Sequence, residues 1–276
     1  FGLFANAYLA VASKGAGSFK AVFAKYNRTR KEDFQIRTAI LEENGKRYVE
    51  KTALTAAAEA HIRSMREKYE KLTSVNPAVK VLEPHYSKDN KAVCFGFLKG
   101  KTLAEILGEQ ITGKKAPVEA LKAAMDRVFG QAVLKKEPFT PTDQFKEVFG
   151  DSEEILSLQD TSYEVSNIDG LFENLMETQD GLYCLDYEWV FDFPIPAGFI
   201  RYRNLVYFYY KYEGLLDYEN AVQFLSEFGM DEKLAEIYAS MEVAFQTWVH
   251  GDGTQGYMGN YKQRLVTLEE LKAQEK

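Results

Sequence analysis

The sequence predicts an α+β protein of two lobes: a small antiparallel sheet with one main helix, then a mostly helical half. Three observations carry this. Runs of alternating apolar and polar residues, separated by turn signals, fill residues 18–100. Helical spacing of apolar residues dominates from residue 101 onward. Between 167 and 188 a loop and a tight two-strand turn interrupt the helices. Strands followed by helices is the order of the α+β class. A length of 276 residues suits one two-lobed unit.

Composition narrows the class. The chain is 46% hydrophobic and 27% charged, ordinary for a globular protein with a sizeable core. A net charge of −7 argues against a nucleic-acid binder. The basic clusters at Arg28, Arg30 and Lys31, at Lys99 and Lys101, and at Lys114 and Lys115 read as solvated loops, of which one can serve phosphates. Cys94 and Cys184 sit in apolar runs and read as small buried hydrophobes, which fits a reducing compartment. His61, His85 and His250 form no metal-ligand spacing. No window approaches the roughly 20 apolar residues of a membrane helix, and no signal peptide is evident. The chain begins at Phe1 without a methionine, which reads as a piece of something longer.

In order, residues 1–13 read as a strand of a preceding domain or one added to this one, ending at Lys14-Gly15-Ala16-Gly17. Ser18 to Tyr26 alternates as the first strand of the sheet, and Asn27 to Glu32 is a basic turn. Phe34 to Leu41 and Arg47 to Thr52 are joined through Asn44-Gly45, a hairpin signal. A helix follows from about Thr55 to Lys71, rich in Ala, Glu, Met and Arg. Val79 to Leu82 and Ala92 to Phe97 are two further strands across the turn Ser87 to Lys91. Five strands and one helix end near residue 100. Thr102 to Leu107 opens the helical half. Pro117 to Leu134 carries Val118, Leu121, Met125, Val128 and Phe129 at helical spacing. Thr142 can cap Asp143 to Phe149. Phe199 to Tyr212, Tyr218 to Phe228, Asp231 to Val249 and Tyr261 to Ala273 complete the helices.

The stretch from Asn167 to Glu188 carries the chemistry. Asp169 and Asn174 are five positions apart, and Asp186 follows twelve later, across the turn Thr178-Gln179-Asp180-Gly181. That spacing lays out a phosphoryl-transfer site. Asp169 orients or deprotonates an acceptor hydroxyl. Asn174 and Asp186 offer the oxygen ligands that Mg²⁺ takes. Glu188 is a further ligand or a surface acid. Upstream, Lys51 at the end of the third strand can reach nucleotide phosphates if an acid on the next helix holds it. Glu59 and Glu67 are the candidates; Glu59, in an Ala-rich stretch that can approach a sheet closely, is favoured. Phe95 to Gly100 lies where the lobes join, its backbone placed for an adenine edge and Phe95 and Phe97 placed to flank the ring. No Gly-x-Ser-x-Gly elbow, Cys/His pair or Walker-type loop is present.

This layout resembles the protein-kinase-like superfamily, and more closely its small-molecule branch of aminoglycoside and choline kinase type. The resembling pieces are Val49-Glu50-Lys51, Phe97 to Leu103, Asn167-Ile168-Asp169 through Asn174, and Leu185 to Trp189. The resemblance implies a kinase using ATP and Mg²⁺, with Lys51 on the phosphates, Glu59 its partner, Asp169 catalytic, and Asn174 and Asp186 on the metal. Thr142 to Gly150 and Trp189 to Arg203 look like kinase-like modules of bacterial surface-polysaccharide assembly. Phe4 to Val11 is similar to the last strand of a neighbouring methyltransferase or glycosyltransferase domain. That similarity implies a sugar hydroxyl or glycan end as acceptor and a fused or associated partner domain. It also implies a cytoplasmic place, peripheral to the inner face of the membrane. Three positions depart from the pattern. Asn167 stands where the family has histidine, Asn27 to Lys31 replaces a Gly-rich loop, and Glu188 replaces the glycine after the metal-binding acid. These departures keep a second expectation open: a nucleotide-binding pseudokinase, or a non-catalytic interaction module.

Overall fold

The computed structural model describes residues 20–130 and 134–251. The expectations for residues 1–17 and for a helix over 261–273 lie outside the described residues.

The chain begins with a meander of β1 (Lys20–Tyr26), β2 (Ile36–Glu43) and β3 (Lys46–Ala53). A short 3₁₀ turn, Glu32–Phe34, lies in the β1–β2 loop. Asn44 and Gly45 turn β2 into β3, both with positive φ (52° and 75°), the backbone that an Asn-Gly hairpin supplies. Helices α1 (Ala58–Arg63) and α2 (Met65–Val75) follow. The single helix expected here is broken at Ser64, whose hydroxyl donates to the His61 carbonyl at 2.8 Å and bends the chain.

Next come β4 (Lys80–Val81), β5 (His85–Tyr86), β6 (Ala92–Gly96) and β7 (Lys101–Thr102). The first sheet has the order β1-β2-β3-β6-β5, all antiparallel. It has five strands as the sequence suggests, but the fourth in chain order is His85–Tyr86. The strand expected at Val79 to Leu82 survives only as β4, which leaves this sheet and runs parallel to a strand of the second half. Tyr187 holds it there, donating its hydroxyl to the Leu82 carbonyl at 2.7 Å.

The second half is mostly helical: α3 (Leu103–Gly108) and α4 (Val118–Phe129), then β8 (Lys136–Pro138), α5 (Asp143–Phe149) and α6 (Glu153–Leu156). Strands β9 (Thr161–Tyr163), β10 (Ser166–Asn167), β11 (Leu175–Thr178), β12 (Gly181–Cys184) and β13 (Val190–Phe191) precede α7 (Ala197–Tyr212), α8 (Ala221–Ser226) and α9 (Glu232–His250). Thr102 and Glu105 form a reciprocal capping box on α3, and Thr142 caps α5. A second sheet, β4-β12-β11-β7, lies at the junction of the two halves. The α+β class is therefore as expected: an antiparallel sheet, then a helical region.

One continuous core runs through both halves. Phe149 is its centre in the helical half, stacked on Phe245 at 5.9 Å and edge-on to Phe199 at 5.4 Å. Such pairs add about 0.5–1.5 kcal/mol each beyond their buried area. Among the described residues, no helix is long and apolar enough to cross a membrane.

Candidate active site

Three local devices fix the loop after β10. Asn167 Oδ1 accepts from the Asp169 amide at 3.0 Å, and its Nδ2 reaches the Asp186 carbonyl at 3.4 Å. Asn174 Nδ2 donates to the Asp169 carbonyl at 3.0 Å, closing the loop on itself. Asn204, buried on α7, accepts from the Phe172 amide at 2.9 Å and donates to the Gly170 carbonyl at 3.2 Å. The β11–β12 hairpin then carries the chain back, with Thr178 opposite Gly181. At its end the Leu185 amide donates to the Asn174 carbonyl at 2.8 Å, which sets Asp186 beside the loop that carries Asp169.

Lys51 closes the cluster from the first sheet. Its Nζ donates to Asp186 Oδ1 at 2.6 Å, across 135 residues of chain, and lies 3.5 Å from Glu188 Oε2. Glu188 is almost fully buried. It also accepts from Arg30, pairs with His61 Nε2 at 2.9 Å, and its backbone carbonyl accepts from Lys68 Nζ at 2.6 Å. Asp169 Oδ2 accepts from the Trp189 amide at 2.9 Å.

The charges explain the titration behaviour. Burial, with Asp186 and Glu188 nearby, pushes the Asp169 carboxyl up to about 7. Burial opposes the Lys51 charge, but Asp186 and Glu188 outweigh it and hold the amine above its usual value. Burial would raise Glu188, yet Lys51, His61 and Arg30 hold it well below the usual carboxylate range. Burial brings Lys68 down to about 8.

Of the sequence candidates, Lys51, Asp169, Asn174, Asp186 and Glu188 come together here. Glu59 does not. It pairs with Lys91 at 3.1 Å and Arg63 at 3.3 Å, and Glu67 pairs with Lys71 at 2.6 Å. The buried face of α1 is Ala58, His61 and Ile62, and Glu59 falls outside it. Phe95 is buried edge-on against Tyr187 at 5.8 Å, a core position rather than a ring-flanking one. Phe97 is half-buried under the Arg47 guanidinium at 5.9 Å. Arg30, named only within a basic cluster that could serve phosphates, is turned onto Glu188, and His61 and Lys68 were not candidates. His61 had a signal, since it shares the apolar stripe of Ala58, Ile62 and Met65.

The donor set can be tested for Mg²⁺. The Asp186 side chain is one-third exposed, at 34%. Asn174 uses its amide nitrogen on Asp169, which leaves its oxygen on the other edge of the group. Carboxylate and amide oxygens suit Mg²⁺, which keeps several waters and takes phosphate oxygens. Glu188 fits less well, because Arg30, His61 and Lys51 already surround it. Among the described residues, no group of three or more His, Cys, Asp or Glu is disposed to hold a metal alone.

No family model and no curated protein matches the chain. Solved structures do. Choline kinase LicA from Streptococcus pneumoniae is 12% identical, with 84% of each chain covered and a TM-score of 0.40. Macrolide 2'-phosphotransferase MphH from Brachybacterium faecium is 13% identical, covering 83% of this chain and 86% of that one, with a TM-score of 0.36. ADP-bound aminoglycoside phosphotransferase APH(2'')-Ib is 15% identical, covering 83% and 82%, also at 0.36. Likeness at this level does not decide the chemistry, which rests on the geometry of the cluster.

Proposed function

We propose that the chain is a phosphotransferase that moves the γ-phosphate of Mg-ATP to a hydroxyl of a small molecule. The observation that carries this is the Lys51–Asp186 contact at 2.6 Å, which joins a lysine of the sheet to the acid after the hairpin, with Asp169 in the same buried cluster. Phosphoryl transfer needs positioning and charge compensation more than covalent chemistry. In this reading Lys51 holds nucleotide phosphates and Asp169 orients the acceptor hydroxyl and takes its proton. Asn174 and Asp186 would hold Mg²⁺, which neutralises charge on the phosphate oxygens. Arg30, from the loop where the family has glycines, adds a cation beside the same cluster.

The finer form of the proposal follows from the sequence similarity of Thr142 to Gly150 and Trp189 to Arg203. It makes the acceptor a glycan end in surface-polysaccharide assembly, the setting cytoplasmic, and a methyltransferase or glycosyltransferase domain the partner. A second reading, a nucleotide-binding pseudokinase, draws on two observations: Glu59 is turned away from Lys51, and Glu188 is enclosed by cations.

Thermal shift and turnover separate these. Mg-ATP should raise the melting temperature, and Lys51→Met should remove that rise. With a panel of sugars and amino alcohols, Asp169→Asn should keep nucleotide binding and lose transfer by roughly 10²–10⁴-fold. Binding without transfer to any acceptor would favour the pseudokinase, and no binding would defeat both readings.

A further inference from the structure

A cleft of about 580 Å³ opens between α4, the start of β9, the first half of α7 and the α8–α9 turn. Its lining includes none of Lys51, Asp169, Asn174, Asp186 and Glu188. Helix α7 stands between the two places: Asn204 holds the Asp169 loop, while Gly198, Arg201 and Leu205 line the cleft. The volume lies in the range of about 300–1,000 Å³ typical of small-molecule sites.

Three cations, Lys122, Lys136 and Arg201, line the cleft with Asp126 and Asp160. Lys122 pairs with Glu119 at 3.1 Å, which leaves Lys136 and Arg201 as the neighbouring cations of interest. Asp160 is fully engaged: Oδ1 accepts from the Thr161 amide at 2.7 Å, and Oδ2 from the Gly198 amide at 2.8 Å and the Tyr238 hydroxyl at 3.1 Å. Asp126 reaches Arg201 only at 3.4 Å and is 71% exposed. Arg201 Nε is buried without a hydrogen-bond partner among the described residues. Lys136 stands over the Tyr163 ring at 5.6 Å, and burial together with Arg201 holds its amine below the usual value. Arg201 and Lys136 are thus neighbouring cations with one long ion pair, Arg201–Asp126, between them, and an anion lodged against both would relieve their repulsion. Met125, Leu205, Phe228 and Met230 supply an apolar part of the wall.

We propose that this cleft binds a small organic anion, with a phosphate or carboxylate head between Arg201 and Lys136 and an apolar body against Met125 and Met230. A guanidinium fork matches either head in two-point contact. The proposal does not depend on the phosphotransferase reading.

The test titrates phenyl phosphate, benzoate and neutral benzyl alcohol into the full chain labelled with ¹³C-methyl methionine. Met125 and Met230 resonances should shift and saturate with at least one anion, and the tighter of the two names the head group. Benzyl alcohol should bind at least about tenfold more weakly, as should the anion to Arg201→Gln or Lys136→Gln. Melting temperatures check that each variant folds. Lys136 lies on a half-exposed strand, so its variant remains informative if Arg201→Gln does not fold. No shift at either methionine, equal affinity for the alcohol, or undiminished anion affinity in the glutamine variants would overturn the proposal.

Discussion

At Asp169, burial and the carboxylates of Asp186 and Glu188 act in one direction, holding its carboxyl up to about 7 against an ordinary 3.8. Between those values the folded chain keeps a proton that the unfolded chain releases. Stability from this residue therefore falls as pH rises through that window, and the full penalty is present above it. Asp169→Asn removes the penalty. In metal-free protein, its urea midpoint should rise relative to wild type from about pH 5 to about pH 8, by an equivalent of a few kcal/mol. A difference that stays constant with pH would contradict the environment described. The three residues of the loop and hairpin were legible in the sequence because their spacing is local and the turn between them has a composition of its own. The contacts of Arg30, His61 and Lys68 were not. Each reaches Glu188 from a distant part of the chain, and only folding reveals that a buried acid needs them.

Among the elements, the junction strand β7 rests on a close approach. A Cβ at Gly100 would stand 2.2 Å from the Glu177 carbonyl oxygen and 2.9 Å from Met176 Cγ. The nearer atom is backbone of β11, so it cannot rotate aside. Gly100→Ala should cost about 1–3 kcal/mol in urea denaturation. An unchanged midpoint would show that β7 can shift freely against β11. Long elements such as α4, α7 and α9 were legible because several turns of apolar spacing repeat the same message. Two-residue strands carry no period, so β4 was assigned to the wrong sheet. The α1–α2 break was hidden for a different reason: Ser64 acts through one hydroxyl bond to the His61 carbonyl, which composition does not reveal.

Across the whole molecule, the β1–β2 loop ties the first sheet to the last helix. Lys31 N donates to the Val249 carbonyl at 2.9 Å, and His250 Nδ1 lies 3.0 Å from the Thr29 carbonyl. Phe34 enters the same contact, 5.0 Å from Trp189 and 4.7 Å from Trp248. The sequence showed a basic turn there and nothing of where it docks, since docking depends on rings more than a hundred residues away. The chain has two tryptophans, and they stand 5.7 Å apart at this contact, with the Arg30 guanidinium 5.4 Å from Trp189. All indole emission from the protein therefore originates where loop and helix meet. Lifting the loop wets both rings at once, so Arg30→Ala should move the emission maximum to longer wavelength while circular dichroism stays unchanged. The molecule carries its own optical gauge of that seam, readable without any attached dye.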